Sequence, residues 1–246
     1  MNDPEKNPVN RRVKTGIDGL DQVLDGGYPR GTNILVTGPS GTGKTIFCAQ
    51  FIYKGLRDYN ENGIFVTLEE KPKNLRKGML SLGWDFKKYE DEGKLIIIDA
   101  ASIRSGLVTK EKYKMPKGFD TDHLLIGIHK AAKEIGATRV VVDSLPSLEL
   151  HLNDTALIRK SIFRISSLLL ETRMTSLLTT ESLNSNMISR YGVEEFVCRG
   201  VITLDLEEKG KDLKRMLRVR KMRGTKHTMR KLSFEIQQDG ILIFFN

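Results

Sequence analysis

Only two cysteines, Cys48 and Cys198, occur in 246 residues, with neither metal-ligand spacing nor the dense, even pattern of a disulfide framework. Both read as buried thiols, so thiol chemistry drops out of the candidate functions. Long apolar runs are also missing: no stretch approaches the roughly 18 to 20 apolar residues of a membrane span, and the opening, Met1 to Arg12, is polar and lacks the apolar centre of a secretion signal. The expectation is a cytoplasmic protein with no membrane partner. No internal repeat at about 20 to 50 residues is present, which excludes a solenoid. Aromatic residues are sparse, and Trp84, Tyr53 and the pair Phe244-Phe245 are expected to pack rather than to serve as stacking platforms. His129 and His151 have no ligand partner at metal spacing and read as core or surface residues.

What is present is enough apolar sequence, 39% of residues, to bury the core of one large domain; two domains would be cramped. The net charge of +9 is concentrated near the C-terminus. From Lys209 to Lys231 eleven Lys or Arg face a single acid, Asp212, so this segment carries +10 and the rest of the chain −1. Whatever partner the positive charge serves is expected to meet this segment.

Along the chain, apolar runs alternate with helical patterns. A polar arm (1–12) precedes a short amphipathic segment, Thr15 to Gly27, that fits a helix of one or two turns. A turn at Tyr28-Pro29-Arg30-Gly31 leads to a strand from Asn33 to Thr37, a glycine-rich loop, and a helix from Lys44 to about Tyr59. Further strands are expected at Ile64 to Leu68, Leu95 to Asp99, Arg139 to Ser144 and Ser176 to Thr180. Helices are expected at Pro72 to about Leu82, Thr121 to Ile135 and Thr155 to Thr172, and an excursion loop at Ala100 to Phe119. Near-continuous apolar strands between helices indicate a parallel sheet buried on both faces. Beyond Glu181 the runs Val201 to Leu206, Leu213 to Lys221, Leu232 to Ile236 and Ile241 to Phe245 are separated by turns at Glu208-Lys209-Gly210-Lys211 and Asp239-Gly240, which suggests antiparallel hairpins. The expected fold is one α/β domain over 13–246, with a parallel core at about 31–181 and an antiparallel C-terminal part at about 200–245.

The glycine-rich loop, Gly38-Pro39-Ser40-Gly41-Thr42-Gly43-Lys44-Thr45, matches the phosphate-binding pattern G-x-x-x-x-G-K-[ST]. It follows an apolar strand and opens a helix, so its backbone N–H groups and the helix dipole favour a polyphosphate. Lys44 is expected against the β- and γ-phosphates of ATP, and the Thr45 hydroxyl on Mg²⁺. Asp143 ends an apolar strand at the edge where ligands bind in such sheets, and is the candidate second metal group. Glu69 and Glu70 end another strand at the same edge. Adjacent residues on an extended chain face opposite sides, so only one is expected to point at the γ-phosphate side. Glu70 is the first choice for the general base, with Glu69 as partner or alternate.

In the basic segment, strand alternation puts Lys214, Met216, Arg218 and Arg220 on one largely cationic face, followed by a turn from Lys221 to His227 that presents three more cations and an imidazole. One reading is a solvated edge strand kept from aggregating by charge; the other is a phosphate contact, to a neighbouring subunit's nucleotide or to nucleic acid. Nucleic acid is not favoured, because the segment's only ring is the His227 imidazole.

With the P-loop, Glu69-Glu70, Asp143-Ser144 and Lys221-Met222-Arg223-Gly224 in this order, the chain resembles the KaiC-like branch of the RecA/RadA ATPases, from Thr15-Gly16-Ile17-Asp18-Gly19-Leu20-Asp21 through Arg190 to Phe196 to the C-terminal hairpin. The resemblance implies a RecA-type core, Mg·ATP binding, slow hydrolysis, and hexameric rings with nucleotide between subunits. It also implies that Glu69 and Glu70 are catalytic, and that Lys221, Arg223 and His227 reach the neighbouring subunit's nucleotide. Clock KaiC carries two such domains and this chain one. Its phosphorylated Ser-Thr pair falls where this chain has Glu194-Glu195, so neither clock function nor self-phosphorylation is expected. The leading expectation is a slow ring ATPase whose nucleotide state controls a partner; the alternatives are a recombinase-type nucleic-acid-binding ATPase and a nucleotide-sensing scaffold without turnover.

Overall fold

The computed structural model describes residues 11–102, 109–115, 120–150, 152, 154–183 and 187–245. His151, most of the expected N-terminal arm and ten residues of the expected excursion loop (103–108 and 116–119) lie outside them. The strands are β1 (Arg12–Val13), β2 (Tyr28–Pro29), β3 (Asn33–Thr37), β4 (Gly63–Thr67), β5 (Leu95–Asp99), β6 (Arg139–Asp143), β7 (Thr175–Thr180), β8 (Gly200–Lys209), β9 (Asp212–Met222), β10 (Leu232–Gln237) and β11 (Gly240–Phe244). The helices are α1 (Leu20–Val23), α2 (Lys44–Tyr59), α3 (Pro72–Ser81), α4 (Phe86–Asp91), α5 (Thr121–Ile135), α6 (Thr155–Glu171) and α7 (Glu194–Val197), with a 3₁₀ turn at Leu145–Leu150.

Nine strands form one sheet in the order β11-β10-β9-β8-β3-β7-β6-β4-β5. From β8 to β5 all pairs are parallel, and β8-β9, β9-β10 and β10-β11 are antiparallel. Successive strand residues point to opposite faces, and here both faces are buried. Ile34, Val36, Phe65 and Val141 face one apolar layer with Phe47 and Phe51 of α2. Leu35, Val66, Val140 and Val142 face a second layer with Leu124 of α5 and Ile162 of α6. That is why these strands are continuous apolar runs. The antiparallel part continues only the first layer, through Leu217, Val219, Phe234, Ile241 and Ile243. It is locked to α2 by buried Gln50, which accepts from Ile241 N at 2.7 Å and donates to the Gly16 carbonyl at 2.8 Å.

Several expectations need correction. Tyr28-Pro29 is not merely a turn: it pairs antiparallel with Arg12-Val13, so the ordered sheet structure starts inside the expected arm. Helix α4, capped by the Asp85 side chain accepting from Lys88 N at 3.0 Å, was not foreseen. Six residues are too few to show a 3.6-residue period. Strand β9 runs through Met222, so Lys221 lies in a strand and not in the following turn. A bulge there pairs Val201 with Lys221 and Ile202 with Val219, leaving Arg220 without a partner. The extra residue breaks the alternation, so Arg220 does not share a face with Lys214, Met216 and Arg218 in the regular way. Phe245 is 55% exposed, whereas Trp84 stacks on Tyr53 in the core. Cys48 and Cys198 are both buried. Among the described residues no helix is long and apolar enough to cross a membrane.

Candidate functional site

The glycine-rich loop bridges the end of β3 and the start of α2. Gly43 caps α2 at φ 96°, a left-handed conformation open to glycine, and at Gly38 an added Cβ would lie 1.9 Å from the Leu204 carbonyl oxygen. The loop is closed on itself by Thr42 Oγ1, which donates to the Pro39 carbonyl at 2.9 Å. Lys44 Nζ lies over the same turn, donating to the Gly38 and Pro39 carbonyls at 2.8 and 2.9 Å. Burial pulls its pKa down, opposed by the carboxylates of Glu181, Asp143 and Glu69.

Asp143 ends β6 beside that helix start. Its Oδ2 accepts from Thr45 Oγ1 at 2.8 Å and its Oδ1 from Thr179 Oγ1. Burial raises its pKa, and the two hydroxyl donors oppose the rise. The Asp143-Ser144 peptide is cis. Ser144 Oγ donates to Glu69 Oε2 at 2.8 Å, which ties the β6 end to the β4 end. Burial raises the Glu70 pKa as well, helped by the charges of Asp143 and Glu69.

Glu69 and Glu70 both line one cavity of about 290 Å³ with Ser40, Lys44, Thr45 and Asp143. The expectation that only one of them faces this side is thereby corrected. Strand β4 stops at Thr67, the chain bends over 68–70, and Thr67 Oγ1 donates to the Glu70 carbonyl, so extended alternation no longer applies. Larger hollows occur elsewhere on the surface, but none contains Asp143, Glu69 or Glu70.

Two contributors were missed by the sequence reading. Glu181, one residue past β7, lines the cavity and is paired with Arg190 at 3.2 Å. Its signal was an acid just past an apolar strand, the feature that singled out Asp143 and Glu69. Thr179 carried no such signal, because its value depends on β6 and β7 being neighbours.

Lys221, Arg223 and His227 are not brought to this cavity. Met222 pairs with Gly200, the first residue of β8, while the P-loop follows the last residue of β3, and β3 and β8 are parallel. The basic turn therefore sits at the opposite end of the sheet. Lys221 Nζ donates to the Glu195 carbonyl at 2.6 Å, and its pKa is lowered by burial and by Arg223. Arg223 is exposed, and His227 Nδ1 lies 3.2 Å from the Thr228 carbonyl.

A glycine-rich loop opening into a helix, with a half-buried carboxylate drawn to that helix's first hydroxyl, suits a metal-bound polyphosphate. Loop and sheet together put the chain among the P-loop NTPases with a RecA-type core. Residues 13–246 match the family described as "ATPase: KaiC", and the chain belongs to this KaiC ATPase family. It is 41% identical over 236 residues to the UPF0273 protein MJ1359 of Methanocaldococcus jannaschii, covering 95% of this chain and 96% of that protein. It is 38% identical over 248 residues to the circadian clock oscillator protein KaiC of Synechococcus elongatus, covering 99% of this chain but 47% of that one; the chain spans about half the clock protein's length. The crystal structure of the KaiC-like protein PH0186 from Pyrococcus horikoshii OT3 superposes with a TM-score of 0.84 at 47% identity, covering 95% of this chain and 99% of that one.

Proposed function

We propose that this chain is a Mg²⁺-dependent, slowly hydrolysing ATPase that works in the cytoplasm as a homo-oligomeric ring, six subunits by resemblance, and uses its nucleotide state to regulate a protein partner. The observation that carries the reading is the convergence of Lys44, Thr45, Asp143, Glu69 and Glu70 on one cavity. The loop amides and Lys44 would hold the β- and γ-phosphates. Among the described residues there is no cluster of three or more His, Cys, Asp or Glu fit to bind a metal alone. The metal would therefore be held by Thr45 and Asp143 together with the phosphates, the usual way Mg²⁺ is bound beside a nucleotide. Magnesium, when bound there, neutralises charge on the β- and γ-oxygens.

Glu70 is the general base of this reading. Burial and two neighbouring carboxylates raise its pKa toward the range useful for taking a proton from water. Glu69, held by Ser144, keeps the pair in register with Asp143. Among the described residues Lys44 is the cation lining the cavity, and the further charge that phosphoryl transfer needs would come from Lys221, Arg223 and His227 of the next subunit. Their place at the opposite sheet end suits head-to-tail association, which closes into a ring when the rotation allows.

Mg²⁺-dependent phosphate release, abolished by Lys44→Ala and by the double change Glu69→Gln, Glu70→Gln, is the expected result. Unchanged release in both variants would overturn the reading. Tight ATP binding without release would instead support the sensing scaffold. The exposed cations Lys214, Arg220, Lys226 and Arg230 favour one second reading, a recombinase-type nucleic-acid-binding ATPase. Single-stranded DNA binding that weakens steeply with salt supports it, and no binding at low salt removes it.

A further inference from the structure

The turn that follows β9 is gripped from below by a residue far away in sequence. Arg12, on β1, donates through Nη1 to Thr225 Oγ1 at 2.5 Å and through Nη2 to the Gly224 carbonyl at 3.3 Å, and the same Nη2 lies 3.8 Å from Asp25 Oδ2. The guanidinium is mostly covered, its side chain 19% exposed. Its own mounting is firm: β1 pairs with β2 in the register Arg12↔Pro29 and Val13↔Tyr28, both Val13 and Tyr28 are buried, and Arg30 N donates to the Arg11 carbonyl at 3.0 Å. At Gly27 an added Cβ would lie 2.3 Å from the Val13 carbonyl oxygen, so the β1-β2 ribbon closes only around glycine.

We infer that Arg12 is a positioning residue for Arg223, holding the turn from Met222 to Thr225 in the orientation that presents Arg223 to the neighbouring subunit's nucleotide. This rests on the trans-acting role proposed above. The turn is pinned at its strand side by buried Met222 and by Arg223 N donating to the Arg199 carbonyl at 3.0 Å. On its far side Gly224, at φ 73°, gives no side-chain anchor, and the planar fork of Arg12 takes both acceptors offered there. Arg223 lies between these two attachments. A flexible arginine on an unpinned turn spends less time in the one productive geometry, and displacements of about 1 Å at a charge-stabilising group can cost up to about 10²-fold in rate. None of the Arg12 contacts touches the P-loop cavity, so the chain's own nucleotide binding is untouched.

The test uses the full chain in its assembled form, with Arg223→Ala as the reference. Arg12→Ala is expected to lower kcat about tenfold with KM for ATP little changed, and Arg12→Lys, which keeps the charge but not the fork, to recover part of the loss. The double Arg12→Ala, Arg223→Ala should be no slower than Arg223→Ala alone. Mixing places the defect: Arg12→Ala subunits with Lys44→Ala subunits should regain activity, whereas Arg12→Ala with Arg223→Ala subunits should not, both defects lying on the same side of the interface. Thr225→Val removes only the acceptor hydroxyl and should reproduce a smaller kcat loss even if Arg12→Ala folds poorly. Wild-type kcat in Arg12→Ala while Arg223→Ala is inactive overturns this inference alone, as does recovery in the Arg12→Ala plus Arg223→Ala mixture. Wild-type kcat in Arg223→Ala overturns the trans-acting role and this inference with it.

Discussion

At one end of the central sheet Lys44, Asp143 and Glu69 are joined by a shared cavity and by hydroxyls from Thr45, Thr179 and Ser144; at the other, Lys221 and His227 meet main-chain carbonyls while Arg223 is exposed. The first end gathers Asp143, half-buried, and the exposed Glu69 and Glu70 around a single lysine, and desolvation has raised the pKa values of Asp143 and Glu70. At the second end Lys221 meets a neutral main-chain carbonyl and the Arg223 side chain is exposed. Each end supplies the charge the other lacks. On the proposed reading a head-to-tail pair of subunits would unite them, which would account for the residues of one proposed site lying at opposite ends of the sheet.

The comparison breaks most readily at the acid end. Replacing both Glu69 and Glu70 by Gln is expected to reduce kcat by about 10⁴-fold, the upper end of what a general base supplies; single-turnover assays would read it, and a drop under tenfold would deny this end its chemical role. Arg223→Ala should cost about 10³-fold in kcat while ATP binding to the isolated subunit stays unchanged, the pattern of a charge supplied from outside. A matching loss of binding would move Arg223 into its own chain's site.

A pH profile sharpens the account further. A general base at Glu70 would act only when deprotonated, so kcat/KM should fall as pH drops through its raised pKa. Because the Glu69 charge contributes to that rise, Glu69→Gln should move the acid limb to lower pH. A limb that stays put would mean another group titrates. The smallest effect is expected at Glu181, which lines the proposed phosphate cavity and is braced by Arg190. Glu181→Gln removes a repulsion and should lower KM for ATP about two- to threefold, in keeping with a partly exposed charge.

Local patterns made much of this legible. Strand β3, helix α2 and helix α5 have the expected bounds, because an apolar run, a glycine loop and a long amphipathic period are read from neighbours in sequence. The features that escaped depend on distant partners. The bulge at Arg220 exists only in the register between β8 and β9. Glu70 joins Glu69 in the cavity because the chain bends after Thr67. Arg139, the first residue of the expected β6 run, is fully buried for reasons no neighbour in sequence supplies: its Nε donates to Glu61 Oε2 at 2.8 Å, its Nη1 to the Phe51 carbonyl at 2.7 Å, and at Gly55 an added Cβ would lie 2.4 Å from its Nε. The position of Lys221, Arg223 and His227 in the turn's neighbourhood was legible, but not that the sheet carries them away from their own P-loop.

Mixed assemblies test the union of the two ends most directly. Arg223→Ala and Lys44→Ala subunits, each inactive alone, are combined at equal ratio, joint incorporation is confirmed by mass, and ATP hydrolysis is measured. Interfaces pairing an intact P-loop with an intact basic turn should restore a clear fraction of wild-type activity. Assemblies that contain both variants and remain as inactive as either parent would contradict a site shared between subunits.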